Sequence, residues 1–438
     1  MSSSSIPSEP ASSSSDRSPA SPRIPRDVWA ISFASLFADW GYEMVLPVLP
    51  FFLIYTLYTN PFVVGAIDGL AQFGQSVMSE VSGALWAQSP QRRRTAAVGY
   101  ALTGLGHALI AIATAWPQVL VLRVSAWLGR GTRQPIKHAI VSNASSSEHK
   151  GKAFGLEQAL DSLGAVVGTV AAIAILLWSG LAFSGAFRWI FALSAVPSAA
   201  AVTAVLVFVH DRAWRPAPTA ALRGTLGPPM SRGVRWFFLA ELVFGLGYYS
   251  ILLALLRVGE SLLPSTGGSV AFAVAASLVI YLLYNVVYTI VPYPAGHWAD
   301  RMPGAGLVSL SFALFVVVDL LLVAGGDVRG GVLAFLVGAS AFTVAGIQIG
   351  LQGVAELAWL SRHVPEGSAG RAFGRLGMIQ GLAVLSGSLI VGGLWTYVNA
   401  TVAFEVSAAF CSAGAVLAAL VPQMELAGPS RGPAQEAQ

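Results

Sequence analysis

Charged residues are scarce in this sequence. Only 11% of its 438 residues are Asp, Glu, Lys or Arg, whereas 55% are hydrophobic. Soluble globular domains carry roughly 25% charged residues, so a water-soluble fold of this size would leave too few charges to face water. The balance predicts an all-α protein embedded in a lipid bilayer. The net charge of +4 predicts no nucleic-acid partner, because the basic residues lie in short loops between apolar stretches.

The chain also lacks the usual marks of metal, redox and nucleotide chemistry. Its one cysteine, Cys411, lies in an apolar stretch, which excludes an intrachain disulfide and predicts a small core residue. The six histidines show no metal-ligand spacing, and no Gly-rich loop ends in Lys-Ser or Lys-Thr. We therefore predict no metal, no cofactor, no ATP-driven step and no enzymatic activity.

Long apolar stretches dominate what is present. A membrane-spanning helix needs about 20 mostly apolar residues, and twelve such stretches can be counted along the chain. They are residues 28–57, 62–86, 95–115, 117–142, 152–179, 188–209, 234–257, 269–297, 305–324, 331–360, 370–397 and 401–422. The sequence thus predicts twelve transmembrane helices.

The basic residues are distributed unequally between the two sets of loops. If the N-terminus is inside, the cytoplasmic loops and tails hold 18 of the 25 Lys and Arg residues, and the outer loops hold three. This asymmetry predicts cytoplasmic termini and a location in the plasma (inner) membrane. Residues 1–27 and 423–438 are predicted to be disordered cytoplasmic tails, although a Ser-rich organellar transit peptide is an alternative for the first.

The two halves of the chain repeat each other. Gly151-Lys-Ala-Phe-Gly155 opens the fifth span and Gly370-Arg-Ala-Phe-Gly374 opens the eleventh, 219 residues later. Parallel repeats of six spans are a plan used by transporters, with the substrate site between the halves. We predict six-helix bundles over residues 28–209 and 234–422, joined by a cytoplasmic linker at 210–233.

The first span carries two acids, Asp39 and Glu43, four residues apart on one helix face. An isolated charge at a helix centre costs about 2.5–3.5 kcal/mol on insertion scales. Two interpretations stay open: a proton-accepting site that couples transport to protons, or simple pairing with basic residues of neighbouring helices.

The fourth span carries four cations. Arg123, Arg130 and Lys137 are spaced by seven residues and form one stripe, with Arg133 one turn beside it. A stripe that faces Asp39 and Glu43 would neutralise both acids by structural pairing. The cations could also belong to a proton or gating network, or bind an anionic substrate group.

Other acids in the spans have less certain partners. Glu157 and Asp161 in the fifth span could pair with Arg92 to Arg94 or with the lower part of the fourth span, and indicate gating structure. Asp68 and Glu80 in the second span and Asp319 in the ninth have no partner that the sequence identifies.

The loop after the eighth span gives a resemblance. Residues 296–304 read Gly-His-Trp-Ala-Asp-Arg-Met-Pro-Gly, which resembles the Gly-x-Leu-Ala-Asp-Arg-x-Gly loop of the major facilitator superfamily. There Gly296 would let helices pack closely, Asp300 would accept hydrogen bonds at a neighbouring helix terminus, and Arg301 would anchor at the cytoplasmic interface. The equivalent first-half loop begins at Gly83 and keeps a basic run that includes Arg92 and Arg93. It has Ala87 and Gln88 in place of the acid and the arginine.

A second match covers more of the chain. Asp39-Trp-Gly-Tyr-Glu-Met44, Gly129-Arg-Gly-Thr-Arg-Gln-Pro135 and Asp161 are similar to segments of a bacterial permease branch of that superfamily with unassigned substrates. The resemblance implies that the first, fourth, seventh and tenth spans line the cavity. It therefore adds Glu241 and Glu356 to the substrate-cavity residues. Glu356 lies 219 residues after Lys137, which indicates an ion pair between the halves.

Small residues in the fifth span bear on packing and on direction. Gly164 and Gly168, four residues apart, predict a close-packing helix face. Exporters of this superfamily often carry Gly-Pro in this stretch. Here Gly168 precedes Thr169, and the counterpart Gly387 precedes Ser388, so this motif leaves the direction open.

Together these features predict a monomeric secondary transporter of a small solute that works by alternating access. The first hypothesis is proton-coupled export of small organic compounds. The second is import of an anionic metabolite, favoured by the fourth-span arginines. The third is a transporter-like receptor or scaffold that signals without flux.

Overall fold

Helices account for nearly all of the described chain. The structure is a computed structural model that describes residues 24–86, 89, 91–145, 149–178, 183–210, 230–301, 305–328, 330–364 and 369–426. Within these residues there are sixteen α-helices and no β-strand, which confirms the all-α prediction. The first eight are α1 Arg26–Val45, α2 Leu49–Tyr55, α3 Pro61–Leu85, α4 Arg92–Leu109, α5 Trp116–Ala144, α6 Lys150–Trp178, α7 Phe183–Leu193 and α8 Ala195–Phe208. The second eight are α9 Arg232–Gly247, α10 Ile251–Leu262, α11 Val270–Ile290, α12 Pro292–Arg301, α13 Gly306–Asp327, α14 Gly331–His363, α15 Ala369–Tyr397 and α16 Ala400–Leu426.

Four of the predicted spans consist of two consecutive helices, as in α1–α2, α7–α8, α9–α10 and α11–α12. Between α1 and α2 lies Pro47, which has no backbone N–H to donate to the preceding turn. Between α9 and α10 the chain is non-helical at 248–250, and α10 begins again because the Ser250 side chain accepts a hydrogen bond from the Leu252 N–H at 3.1 Å.

Ten helical segments of the described chain are long and apolar enough to cross a membrane. Every predicted span is helical, but α3 and α5 are not among the ten segments, because their faces carry charged and amide side chains. The prediction of helices is therefore confirmed, whereas the count of twelve membrane crossings stays a prediction.

Most of helices α1–α8 pack mainly on one another, and so do most of α9–α16, whereas α3 and α15 pack extensively on each other across the two groups. The main contacts between these two groups join α3 to α15, α6 to α11, and α10 to α2 and α3. The predicted glycine face of α6 lies on α1: a Cβ atom at Gly164 would collide with the Leu36 carbonyl, and one at Gly168 with the Trp40 carbonyl. The absence of side chains at these glycines allows the close approach of the two helices.

Some sequence predictions fall outside the described residues. These are both tails except for their helical edges, linker residues 211–229, and the substituted pair Ala87 and Gln88 of the first-half loop. The first and last helices extend slightly into the predicted tails, since α1 starts at Arg26 and α16 extends to Leu426.

Candidate functional site

The cations of α5 lie against acids on α1, α3 and α6. Asp39 on α1 has its Oδ1 atom 3.3 Å from Arg133 Nη2 and 3.7 Å from Arg130 Nη1. Both arginines also lie over aromatic rings, with the Arg130 guanidinium carbon 4.5 Å from the centre of the Tyr42 ring. Ring faces attract cations, so these rings add to the stabilisation that Asp39 gives the two arginines.

One turn further along α5, Lys137 joins two acids of α6. Its Nζ atom lies 2.5 Å from Glu157 Oε1 and 3.3 Å from Asp161 Oδ1, and Ser35 of α1 donates a hydrogen bond to Glu157 at 3.1 Å. The sequence left two sets of partners open for these acids. In the structure they contact the lower part of the fourth span and not Arg92 to Arg94. The expected ion pair between Lys137 and Glu356 is wrong in this structure, since Lys137 pairs within its own helix group.

Glu43 does not share the environment of Asp39. Its side chain is buried, and Oε2 accepts a hydrogen bond from the Tyr281 hydroxyl of α11 at 2.9 Å. No Lys or Arg of the described residues lies within salt-bridge distance of it. The expectation that the α5 cations would neutralise both acids of α1 is therefore wrong for Glu43. This carboxyl bridges the two helix groups.

Asp68 of α3 forms a second bridge, near the end of the bundle where α3 begins (the Asn60 end). Its Oδ1 atom accepts from Arg123 Nη2 at 2.8 Å, and its Oδ2 atom accepts from Gln72 at 2.7 Å and from the Ser250 hydroxyl at 2.5 Å. Arg123 Nη1 lies 2.9 Å from His107 Nε2. Residue exposure is 1% or less for both members of the ion pair. We call Asp68, Arg123 and Ser250 the Asp68 junction.

A pair of buried carboxyl groups lies in the second helix group. Glu241 of α9 and Glu356 of α14 are 2% and 1% exposed and lie close enough to interact electrostatically. Glu356 Oε2 also accepts from Gln380 of α15 at 2.5 Å. Among the described residues no cation pairs with either acid. The structure therefore brings together two residues that were proposed only through the family resemblance.

The gating residues predicted in the two loops lie apart from these clusters, whereas the predicted gating acids Glu157 and Asp161 contact Lys137. Asp300 accepts a hydrogen bond from Arg362 at the end of α14 at 3.2 Å, and the exposed Arg301 ends α12. The close-packing role expected for Gly296 is wrong, because a Cβ atom there would meet nothing within 4 Å. In the first half, Gly83 lies against Pro135 of α5, Arg92 is buried at the start of α4, and Arg93 donates to the Val209 carbonyl.

A cavity of about 500 Å³ lies between α3, α5 and α15, towards the end where α3 finishes (the Trp86 end). Its lining includes Gln72, Gln75 and Glu80 of α3, Trp127 of α5, and Gln380 of α15. Gln75 Oε1 and Trp127 Nε1 are buried without a hydrogen-bond partner in the protein. A solute in this cavity can therefore supply the missing donor and acceptor.

Sequence reasoning missed the amide side chains of this cavity and the partners of Asp68 and Asp319. Asp319 accepts from Tyr249 at 2.8 Å and from Ser407 at 2.7 Å. The run of polar residues in α3, with Gln72, Gln75 and Glu80 on an otherwise apolar helix, was a signal for a polar cavity.

A family model provides the decisive observation. The model described as Major Facilitator Superfamily matches residues 31–284. The chain belongs to the Major Facilitator Superfamily. It is a membrane transporter and not an enzyme.

Similar proteins agree with this family. An uncharacterised MFS-type transporter of Methanocaldococcus jannaschii is 24% identical over 377 residues, which cover 85% of this chain and 89% of that protein. The crystal structure of the nucleoside transporter NupG aligns with a TM-score of 0.70 at 14% identity, over 91% of this chain and 98% of that one. A D-xylose-proton symporter aligns with a TM-score of 0.67 at 13% identity, over 89% and 96%. These structural likenesses establish the fold.

Proposed function

We propose that this MFS protein is a proton-coupled secondary transporter that exports small organic solutes by alternating access. It acts as a monomer in the plasma membrane with both termini in the cytoplasm. In this proposal α3 and α5 complete twelve spans, arranged as six-span bundles over residues 28–209 and 234–422.

Equivalent packing supports the two-bundle arrangement. Gly168 of α6 lies against the backbone of α1, and Gly387 of α15 lies against the backbone of Gly245 in α9 and of Tyr248 just after it. These glycines are 219 residues apart, the offset of the sequence repeat. Each bundle thus uses a glycine at the same place for the same close approach.

Contacts at the Asn60 end support alternating access. Besides the Asp68 junction, the Phe62 N–H donates to Thr396 of α15 at 2.9 Å, and the Phe51 ring packs against Gly259 of α10. These contacts hold the helix groups together at that end, whereas the cavity lies towards the opposite end. The arrangement fits a transporter closed at the outer face and accessible from the cytoplasm.

The environment of Glu43 carries the proposal of proton coupling. A buried carboxylate without a cation is costly, and protonation removes the charge. Since Glu43 contacts Tyr281 across the two helix groups, a change of its protonation state would alter a contact that must change when the groups rock. Asp39, by contrast, is held by Arg130 and Arg133 and would tune this site through the shared helix face.

The import of an anionic metabolite has less support. All four cations of α5 are engaged by acids, namely Arg123 by Asp68, Arg130 and Arg133 by Asp39, and Lys137 by Glu157 and Asp161. An anionic cargo would have to displace one of these carboxylates.

Proteoliposomes with a trapped pH-sensitive dye test the coupling. The added solute is the best ligand from a thermal-shift screen of the purified protein, since ligands raise the apparent stability of the native state. We expect solute-driven proton movement in the wild type and a reduction of at least about tenfold in Glu43→Gln, which removes the charge but keeps the size.

The matched control is Glu405→Gln, the same change at an exposed position of α16, for which we expect wild-type rates. Equal proton movement in the wild type and in the Asp39→Asn, Glu43→Gln double variant would contradict proton coupling through these acids.

A further inference from the structure

We infer that the cavity between α3, α5 and α15 binds an organic cation rich in hydrogen-bond donors, with Glu80 as its counter-charge. The inference rests on the proposed transport function and names the chemical class of its cargo. Two observations support it. Some polar atoms of the lining already form hydrogen bonds within the protein, and the buried cations are already paired with carboxylates.

The lining presents mainly hydrogen-bond acceptors. The amide NH₂ groups of Gln72 and Gln380 each donate one hydrogen to a buried carboxylate, at 2.7 Å to Asp68 and 2.5 Å to Glu356. Each amide retains its oxygen, which accepts two hydrogen bonds, and one N–H. Ser76 and Ser79 donate their hydroxyl hydrogens to backbone carbonyls at 3.2 and 3.3 Å. Since a hydroxyl oxygen that donates can still accept, the cavity selects solutes that bring donors.

A carboxylate adds negative charge at the same place. Glu80 lines the cavity, and its carboxylate lies against Gly374 of α15, where a side chain would collide with it. Among the described residues no Lys or Arg forms an ion pair with Glu80. Ammonium and guanidinium groups combine several donors with a positive charge, which is the complement of this lining.

The charge balance of the membrane region points the same way. The four cations of α5 form ion pairs with carboxylates, and none of the four lines the cavity. Four buried acids have no cation partner among the described residues, namely Glu43, Glu241, Asp319 and Glu356. Whenever one of these acids is ionised, the negative charge attracts a cation and repels an anion.

The shape of α15 makes room for such a solute. Gly374, Gly377 and Gly381 line the cavity, with Trp127 and Phe373 as its aromatic walls. A Cβ atom at Gly381 would meet Ser76 Oγ at 2.5 Å, whereas one at Gly377 would meet nothing within 4 Å. Position 377 therefore accepts a side chain without a clash with neighbouring atoms, and that side chain would occupy the cavity.

Three probes of matched size test the inference: 4-phenylbutylammonium, 4-phenylbutanol and 4-phenylbutyrate. Their binding to the purified full-length protein is measured by tryptophan fluorescence and by thermal shift. We expect the ammonium compound to bind most tightly, Glu80→Gln to weaken it by about three- to tenfold, and Gly377→Leu to weaken it by at least about tenfold by filling the cavity.

Two control variants separate these effects from loss of structure. Glu405→Gln removes an exposed carboxylate outside the cavity, and Gly353→Leu adds the same side chain on α14 at a position with no neighbour within 4 Å. Both should bind the ammonium compound as the wild type does. Ammonium binding no tighter than that of the alcohol or the butyrate overturns the inference, and so does an unchanged affinity in both Glu80→Gln and Gly377→Leu.

A flux assay distinguishes failure of this inference from failure of the proposed function. If the ammonium compound binds through Glu80 but a pH gradient never drives it across proteoliposome membranes, the cargo site stands and the proposed function fails. If the alcohol or the butyrate is the compound that binds and is driven by the gradient, the proposed function stands and the cation inference fails.

Discussion

Arg123 is a fully buried cation with a complete set of partners. Asp68 neutralises it, His107 contacts it, and the Trp127 ring lies 5.0 Å from its guanidinium carbon. In a low-dielectric interior, a buried charge without such partners strongly destabilises the protein. The arginine is therefore the most sensitive point of the Asp68 junction.

Removal of the acid from this pair should destabilise the protein. Asp68→Asn leaves the Arg123 charge buried without its counter-charge, and the expected loss is about 3–5 kcal/mol of unfolding free energy. Denaturation of the purified protein in mixed micelles measures it. The control is Arg362→Ala, which breaks the exposed pair with Asp300 and should cost far less. If the two variants lose the same stability, the structural role of the Asp68 junction is wrong.

For individual residues, the sequence predicted the helix face on which each charged side chain lies better than the side chains that it contacts. The seven-residue spacing placed Arg123, Arg130 and Lys137 on one face of α5, where each contacts an acid. The sequence could not predict that Asp39 contacts arginines while Glu43 contacts a tyrosine. Helical spacing places both acids on one face, but it does not identify the neighbouring helix that each side chain contacts. The Glu43 contact with Tyr281 joins residues 238 positions apart.

The contact between α1 and α6 is a packing of backbones. Gly164 and Gly168 present no side chain to α1, and the carbonyls of Leu36 and Trp40 occupy that space. Close approach of this kind stabilises helix pairs in lipid, where apolar side chains gain little by leaving the hydrocarbon.

A branched side chain at this interface should force the two helices apart. Gly164→Val is expected to lower the unfolding free energy by about 1–3 kcal/mol through overpacking, measured by thermal denaturation in detergent. Gly155→Val, on the same helix at a position with no neighbour within 4 Å, should change stability little. An equal loss in both variants would mean that valine in α6 itself, and not the α1 contact, is responsible.

Among the elements, hydropathy was sufficient to locate every helix but not the breaks within them. Pro47 gave a reason for the break between α1 and α2. The break at 248–250 carries no proline, and it depends on Ser250 forming a cap while it also contacts Asp68 of another helix. A tertiary contact of that kind leaves no periodic trace in the sequence.

For the whole molecule, alternating access requires the contacts at the Asn60 end to separate in each cycle. A cross-link between Phe62→Cys and Thr396→Cys, made in a Cys411→Ser background, would join α3 to α15 where Phe62 N and Thr396 Oγ1 are 2.9 Å apart. We expect oxidation to stop solute flux in proteoliposomes and reduction to restore it, while solute binding persists.

The control cross-link joins two helices of the same group. Ser309 of α13 donates to the Ala415 carbonyl of α16 at 2.8 Å, so Ser309→Cys with Ala415→Cys should form a bond that moves with its bundle and leaves flux intact. Undiminished flux in the oxidised Phe62–Thr396 variant would exclude separation at the Asn60 end.

The sequence repeat predicts two groups of helices, but it does not predict the contacts between them. The repeat describes what each half does alike, but the Asp68 junction and the Glu43–Tyr281 bond join non-equivalent positions. No symmetry between the halves predicts such contacts.

The Gln380 amide that lines the cavity has a thermodynamic consequence. Its nitrogen donates to the buried carboxyl group of Glu356 at 2.5 Å. A solute that polarises or reorients this amide therefore changes how strongly Glu356 binds a proton. Coupling between two bound ligands is reciprocal, so a proton bound at Glu356 must change the affinity for the solute by the same factor. A single amide would thus be enough to link the occupancy of the cavity to the proton content of the second helix group.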